Sequence, residues 1–346
     1  MTPYLICYLI LIAALGAGLL LDKLRVAAII AFVPMFALIS LRGIVGTDSA
    51  IYIQAFDTIR YQGVIASSFE PGFTLLVAVL SWFFRDPLDI LIVLGSATAL
   101  IMLTAGLLLE RVPLLFMAIV LPYYLLDMTM NGLRYGLAFA IVALGAAALA
   151  RRSIKAFIAC CIVAASIQIS SVLLAASLWL LMEARIRTFF AVGFGMIVAF
   201  VFFGDYVGDK LSGNANISGI GGVSGLSPLI GTILIIASVR ITNDNKNDFS
   251  FISLASILIL QLASFIIARQ FYAGLRFQAL FFFLLYLVIV TTQKRKGKDF
   301  TAGKAPLLLL ISATAILSAS RIKNLDDDVG GLSPYNPYYF ASELSR

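Results

Sequence analysis

The sequence contains no histidine among its 346 residues. This absence excludes Ser-His-Asp triads, zinc sites built on histidine and the histidine-dependent membrane acyltransferases. Any proton transfer must therefore use carboxylates, tyrosine, lysine or water. Cysteine is also scarce, and Cys7, Cys160 and Cys161 all lie in apolar runs, so no disulfide framework is indicated.

Charged residues are few as well, at 12% of the chain, whereas 61% is hydrophobic and the mean hydropathy is +1.02. A soluble domain of this composition would lack the polar surface needed to cover its core. The apolar runs of about 15–20 residues match a hydrocarbon layer of roughly 30 Å. The first run has no basic segment before it, so we expect no cleaved signal peptide. We predict an all-α, polytopic integral membrane protein with a single membrane domain over residues 1–346.

The net charge of +7 is unevenly distributed along the chain. Basic clusters such as residues 151–155 and 294–298 fall in short loops that the predicted topology places on one side of the membrane. An excess of lysine and arginine in short loops marks the cytoplasmic side and favours anionic lipid. The basic excess therefore predicts contact with membrane lipid and no nucleic-acid partner.

Apolar runs bounded by charged or turn residues predict about twelve membrane-spanning helices. They are residues 3–21, 24–41, 88–109, 112–124, 133–150, 154–167, 170–182, 188–204, 226–240, 249–268, 274–292 and 305–320. Residues 73–84 are too short to span comfortably. We predict that they form a partly inserted juxtamembrane helix, because this assignment keeps every basic cluster on one side.

Three long polar segments are predicted to lie on the external side. They are the loop with the juxtamembrane helix (residues 42–87), a Gly-rich loop (205–225) and an aromatic and acidic tail (321–346). The Gly-rich loop lacks a nucleotide-binding fingerprint, and either a lid over a large substrate or a plain flexible linker fits its composition. Most of the 13 tyrosines lie in or beside external segments. This one-sided distribution predicts a surface on which a substrate stacks.

Two carboxylates stand out in the first external loop. Asp48 follows Gly46-Thr47, and Glu70 precedes a Pro-Gly turn. Both are predicted to lie near the outer membrane boundary, where partial desolvation raises the pKa of a carboxyl group toward that of a useful base. The alternative is that each acid caps the helix that follows it.

Three arginines are predicted to lie at the outer ends of spans. Arg134 opens one span, and Arg269 and Arg276 lie seven residues, or two helical turns, apart near another. Guanidinium groups match the oxygens of a diphosphate, so the three arginines predict a diphosphate ligand. The alternative for Arg134 is an anchor that reaches the membrane surface with no ligand.

Taken together, these motifs resemble the EpsG-like, Wzy-type polymerases of bacterial surface polysaccharides. The matching elements are Gly46-Thr47-Asp48 with Tyr52, Glu70-Pro71-Gly72-Phe73, Leu133-Arg134 with Gly136-Leu137-Ala138, Leu275-Arg276-Phe277, and the closing Pro-Tyr pairs. Two positions depart from the usual pattern of that family. Tyr135 stands where a glutamine is common, and Gln168 stands where a histidine is usual.

The resemblance implies a GT-C-like membrane glycosyltransferase that joins polyprenyl-diphosphate-linked oligosaccharide repeats. Its site would face the periplasm or exterior of the bacterial inner membrane, with Asp48 and Glu70 as acid/base residues and Arg134 and Arg276, assisted by Arg269, on the diphosphate. No cofactor or divalent metal is expected, and a flippase and a chain-length regulator are possible partners. The expected sugar contacts are Tyr52, Tyr135, Gln168, Tyr272, Tyr335 and Tyr338.

Two other functions fit the same parts. A GT-C-type enzyme that adds a single sugar from a lipid carrier would differ only in its acceptor. A glycolipid transporter or flippase without chemistry would instead require internal repeats, broken helices and ionisable groups near the middle of the membrane. The predicted span centres are nearly free of charge, which favours an enzyme.

Overall fold

The computed structural model describes residues 2–110, 113–183, 225–242, 251–269, 273–296, 304–326, 335 and 338–341. Over these residues the chain is all-helical, as predicted, and the one β pairing is an isolated antiparallel bridge between Arg42 and Phe340. The predicted span 188–204, the Gly-rich loop up to residue 224 and most of the tail beyond residue 326 lie outside the described residues.

The helices follow one another along the whole described chain. They are α1 (Thr2–Leu20), α2 (Leu24–Ser40), α3 (Ser49–Gln62), α4 (Pro71–Phe83), α5 (Pro87–Leu109), a π-helix (Phe116–Leu125), α6 (Leu126–Met130), α7 (Leu133–Ala150), α8 (Ile154–Ile167), α9 (Ser170–Glu183), α10 (Leu226–Thr242), α11 (Phe251–Ala268), α12 (Ala273–Arg295) and α13 (Lys304–Asp326). A single 3₁₀ turn, Val64–Ala66, lies between α3 and α4.

Five described helices, namely α1, α5, α7, α12 and α13, are long and apolar enough to cross a membrane. Shorter apolar helices of 10–17 residues, α4 among them, accompany these five. The protein is therefore a multi-pass membrane protein. The helix α4 has 13 residues, which agrees with the short helix predicted there.

The helices α7 and α12 form the centre of the bundle. Of their apolar windows, 72% and 78% of the residues are buried, against 33% for α13. The helix α7 packs against α5, α8 and α12. A small residue also lets α7 approach α6, since a Cβ added at Gly136 would lie 2.2 Å from the carbonyl oxygen of Met128. The first turn of α7, which carries Arg134, therefore begins inside the bundle.

The first long loop is folded rather than extended. It contains α3 and α4, which pack against each other. Arg60 on α3 donates hydrogen bonds to the carbonyl oxygens of Ser81 (3.2 Å), Phe84 and Arg85 at the end of α4. A cation at this position satisfies carbonyls that the helix leaves unpaired and suits the negative end of the helix dipole. The loop thus holds its two acids on fixed helices.

The region after α5 differs from the prediction. Where the sequence predicts a span over residues 112–124, a π-helix runs over Phe116–Leu125 and continues as α6 to Met130. Pro122 has no N–H group to donate within this segment, and the carbonyl of Ala118, four residues earlier, lies 3.5 Å from the hydroxyl of Thr314. The sequence predicts a loop between the spans 112–124 and 133–150, and the structure reduces that loop to a break at Asn131 and Gly132. Likewise, α13 runs past the predicted end at residue 320 to Asp326.

The bundle has two chemically different ends. Arg25 donates to the carbonyl of Leu107 near the end of α5 (3.5 Å), and Arg295 donates to that of Leu149 near the end of α7 (3.4 Å). The first long loop and the Asn131–Gly132 break lie instead beside the starts of α5 and α7. We call this the loop end of the bundle, and it carries the acids and aromatic residues considered below.

Candidate active site

Glu70 and Arg134, which are 64 positions apart, form an ion pair at the loop end. The Oε2 of Glu70 lies 2.6 Å from the Nη1 of Arg134, and the side chains are 21% and 26% exposed. The guanidinium carbon lies 4.3 Å from the centre of the Phe69 ring, so the cation is also stacked. The backbone N–H of Ile169 points to Glu70 Oε1 at 3.5 Å. The pair thus joins the starts of α4 and α7 to the break between α8 and α9.

Asp48 and Glu70 both occupy the N-cap position of a helix, Asp48 for α3 and Glu70 for α4. Neither side chain makes the capping hydrogen bond that the alternative interpretation requires. The helix ends do not consume these carboxylates. Both carboxylates are therefore available for other contacts, and that of Glu70 forms an ion pair with Arg134.

Charged groups from three helices act on Asp48. Burial raises the pKa of its carboxyl group, because desolvation disfavours the ionised form. A hydrogen bond from the Thr47 side chain and the positive charges of Arg276 and Arg134 lower the same pKa, while the negative charge of Asp127 raises it. The structure therefore brings Asp48 within electrostatic range of two of the three arginines that the sequence singled out.

Gln168 lies at the break that approaches Glu70. It ends α8 in an extended conformation, directly before Ile169. The start of α4 packs tightly on this break, since a Cβ added at Gly72 would lie 2.2 Å from Ser166 Oγ. The structure thus brings the Gln168 segment to the Glu70–Arg134 pair, and a sugar contact at Gln168 stays a prediction.

Tyr52 is part of a packed aromatic cluster rather than an open platform. Its side chain is 5% exposed, and its ring lies 5.9 Å from that of Phe69 and 6.2 Å from that of Phe73. Burial raises the pKa of its phenol, and the charge of Arg134 opposes this shift. The ring therefore packs behind Phe69 and Phe73, and its hydroxyl lies next to Arg134.

The other aromatic and cationic candidates have different surroundings. Tyr135 donates to Asp127 Oδ2 at 2.5 Å, and Tyr338 donates to the carbonyl of Leu38 at 2.6 Å. Tyr335 and Tyr338 both pack edge-on against Tyr4, which fastens the tail to α1. Arg269 stacks on Phe265 at 4.5 Å, one turn back along the chain. Tyr272 lies outside the described residues.

The sequence profile of the EpsG family matches residues 25–337, which include Asp48, Glu70, Arg134 and Arg276. The chain belongs to the EpsG family. This confirms the resemblance drawn from the short motifs of the first loop and of α7. No curated protein and no solved structure matches the chain. Membership in the EpsG family indicates a polysaccharide polymerase-like role.

This EpsG-family chain has a second acid–arginine pair that the sequence analysis did not assign. Asp127 Oδ2 lies 3.5 Å from Arg321 Nη2, and the guanidinium of Arg321 stacks over Tyr123 at 4.0 Å. Asp127 also accepts from Asn131 Nδ2 at 3.0 Å. Asp127 and Asn131 are four residues apart, a one-turn spacing that signals contact only if the segment is helical. Because the sequence analysis predicted a loop over this segment, it did not use the four-residue spacing as evidence of a contact.

Arg42 is a further charged residue that the sequence analysis missed. Its side chain is fully buried where α2 ends, and Nη2 donates to the carbonyl of Leu91 at 3.4 Å. Burial lowers the pKa of the guanidinium to about 10, and nearby phenols, Tyr338 first, oppose this shift. The tail pairs over it, since Gly43 donates to the carbonyl of Tyr339 at 2.8 Å. The EpsG-family chain thus encloses a cation beneath its own C-terminal segment.

Proposed function

We propose that the protein joins polyprenyl-diphosphate-linked oligosaccharide repeats into a surface polysaccharide. The observation that supports this most is the convergence of Asp48, Glu70, Arg134 and Arg276 at one end of the bundle. Glu70 pairs with Arg134 at 2.6 Å, and Arg134 and Arg276 both act on the pKa of Asp48. A base beside two cations is what a hydroxyl acceptor and a diphosphate leaving group require.

In the proposed reaction, a hydroxyl oxygen of the acceptor glycan forms a bond to the anomeric carbon of the donor repeat. The bond from that carbon to the diphosphate oxygen breaks, and polyprenyl diphosphate leaves. The hydroxyl proton passes to Asp48, whose carboxyl group has a raised pKa because it is partly buried. Arg134 and Arg276 stabilise the negative charge that develops on the leaving group.

Glu70 has a different role in this proposal from that of Asp48. Because it is paired with Arg134, it would hold that guanidinium at the site until the diphosphate arrives. The guanidinium groups, rather than a divalent metal, carry the charge compensation. Gln168, which lies beside this pair, would contact the sugar nearest to the diphosphate, whereas the buried Tyr52 would hold Arg134 in place.

The membrane arrangement that accompanies this function is also a proposal. We propose about twelve spans with a GT-C-like layout, and a loop end that faces the periplasm or exterior of a bacterial inner membrane. The segregation of Arg25 and Arg295 to the opposite end of the bundle supports this orientation. A flippase would deliver the substrate, and a chain-length regulator would set the extent of polymerisation.

The test is reconstitution of the purified protein in lipid with a synthetic polyprenyl-diphosphate-linked repeat as the only substrate. We expect a ladder of products on a gel, spaced by one repeat. Asp48→Asn should remove the base, keep the shape and lower the rate by about 10²–10⁴-fold. The single-repeat lipid should then persist in a protein that is folded and inserted.

The competing functions give different results in the same assay. A product extended by one sugar only, with no ladder, would support the single-sugar glycosyltransferase instead. Movement of the unmodified lipid across the bilayer without any new glycosidic bond would support a flippase. Wild-type ladders from Asp48→Asn would remove Asp48 from the site.

A further inference from the structure

The turn that carries Asp48 rests on the break between α6 and α7. Gly46 has a φ of 113°, and a Cβ added there would lie 2.5 Å from the carbonyl oxygen of Met130. Ser49 donates to the same carbonyl at 3.4 Å and to that of Val45 at 2.7 Å. Only glycine fits both the backbone conformation and the close approach at position 46. The turn is therefore packed directly on the end of α6.

Asn131, the first residue of the break, uses both ends of its amide. Its Oδ1 accepts from the backbone N–H of Thr47 at 3.0 Å, and its Nδ2 donates to Asp127 Oδ1 at 3.0 Å. Nδ2 also contacts the hydroxyl of Tyr335 from the tail. Because an ionised carboxylate only accepts hydrogen bonds, Asp127 fixes which end of the amide faces Thr47.

Asp127 is itself held by two other helices. Its Oδ2 accepts from the hydroxyl of Tyr135 on α7 and lies 3.5 Å from Arg321 on α13. The carboxylate is thereby tied to two spans of the bundle through Oδ2, while Oδ1 accepts from Asn131. The bundle, rather than the loop, therefore sets the orientation of Asn131. Through Asn131 it also sets the position of the Thr47 N–H.

We propose that Asn131, oriented by Asp127, is the positioning residue for Asp48. Thr47 directly precedes Asp48, whose own side chain makes no capping bond to hold it. The Asn131–Thr47 bond ties the backbone just before Asp48 to the helical bundle at 3.0 Å, which is shorter than the 3.4 Å contact from Ser49 to Met130 on its other side. This inference rests on the proposed function, in which Asp48 is the base. A displacement of about 1 Å at such a site costs about 10²-fold in rate.

Exchanging the side chains of Asp127 and Asn131 tests this relay, in which Asp127 orients Asn131 and Asn131 holds the Thr47 N–H. Asn131→Asp places a second carboxylate against Asp127, and the repulsion between like charges should break the contact. We expect kcat to fall about 10²-fold with KM within about twofold of wild type, since the diphosphate contacts stay intact. The double variant Asp127→Asn with Asn131→Asp restores one amide and one carboxylate. It should recover at least about tenfold of the lost kcat, which a loss of packing alone would not allow.

The matched control is Gln54→Glu, which makes the same amide-to-acid change on the exposed side of α3. Its kcat should stay within about twofold of wild type, because surface charges contribute little. A fall as large as that of Asn131→Asp would show that added negative charge in the loop, not the relay, lowers the rate. Failure of the exchanged double variant to recover any kcat, in a protein that melts like wild type, would also overturn the proposal.

Hydrogen–deuterium exchange separates this inference from the proposed function. The peptide that covers residues 45–49 should exchange faster in Asn131→Asp and return toward the wild-type rate in the double variant. Peptides within α5 serve as the internal reference and should not change. Unchanged exchange at residues 45–49 in Asn131→Asp would refute the positioning role. The expected exchange pattern in a wild-type protein that makes no polymer would leave the positioning role standing and refute the polymerase.

Discussion

Two acid–arginine pairs lie at the loop end of the bundle, and they differ in how fully their carboxylates are used. Asp127 accepts from Tyr135 and Asn131 in addition to its contact with Arg321. Among the described residues, Glu70 contacts Arg134 at 2.6 Å, and its other oxygen has a long approach of 3.5 Å from the backbone N–H of Ile169. The two pairs have similar exposure, so their difference lies in the number and directions of their partners.

This difference separates a structural pair from a pair that can exchange its partner for a ligand. The carboxylate of Asp127 cannot turn away without breaking contacts to two spans. The Glu70 side chain has one strong contact, so it can rotate and leave Arg134 to an incoming anion. Arg134 is also the cation that acts on the pKa of both Asp48 and Tyr52. We therefore expect substrate to bind at the first loop and the break beside it to provide rigidity.

Replacing each arginine with methionine should break this comparison most strongly. Arg321→Met leaves the held carboxylate of Asp127 without its cation, and we expect a loss of about 3 kcal/mol in the free energy of unfolding. Arg134→Met should cost less than about 1 kcal/mol in stability, because Glu70 is free to turn to water. Its rate should nonetheless fall about 10²–10³-fold through lost stabilisation of the diphosphate.

Thermal unfolding in a fixed detergent and polymer formation in lipid measure these two effects separately. The double variant Asp127→Asn with Arg321→Met is the matched control, since it removes the uncompensated charge and should regain part of the lost stability. Equal stability losses in the two arginine variants would show that both pairs are structural. The distinction between the pairs would then fail.

Much of the architecture could be predicted from composition and local pattern. The apolar runs predict most of the helices that the structure describes, and the short helix predicted over residues 73–84 is α4, which begins two residues earlier at Pro71. The sequence also singled out the two acids of the loop and the arginine of α7, because polar residues next to an apolar run are conspicuous, and their roles stay predictions. These are local signals, and they need no knowledge of which helices are neighbours.

The pairing of residues was less predictable, for a physical reason. Arg321 and Asp127 are 194 positions apart, and nothing near either one indicates the other. The predicted helix end at residue 320 placed Arg321 in a tail, whereas α13 continues through it. Arg42 looked like an ordinary charge at a span end, yet the tail covers it. Long-range packing decides such cases, and a single sequence carries no direct record of it.

Two tyrosines offer a smaller test of the same comparison. Tyr135→Phe removes the hydroxyl that donates to Asp127, and a hydrogen bond to a charged acceptor suggests a loss of about 2 kcal/mol in stability. Tyr52→Phe keeps the ring packed against Phe69 and Phe73, so we expect about 1 kcal/mol or less. Unfolding midpoints of the two variants measure the difference. A larger loss for Tyr52→Phe would place structural rigidity in the first loop instead.

The smallest expected effect is a shift in the pH dependence of the rate. Asp48 must be ionised to accept a proton, and burial raises its pKa, so the acid limb of kcat/KM should lie above the ordinary aspartate range. The positive charge of Arg276 lowers that pKa by favouring the carboxylate. Arg276→Gln should therefore raise the midpoint of the acid limb by less than about one unit, whatever it does to the maximal rate.

The matched control is Arg269→Gln, which replaces an arginine that stacks on Phe265 and should leave the midpoint in place. A downward shift in Arg276→Gln, or an equal shift in both variants, would mean that the group titrating in the acid limb is not Asp48 beside Arg276.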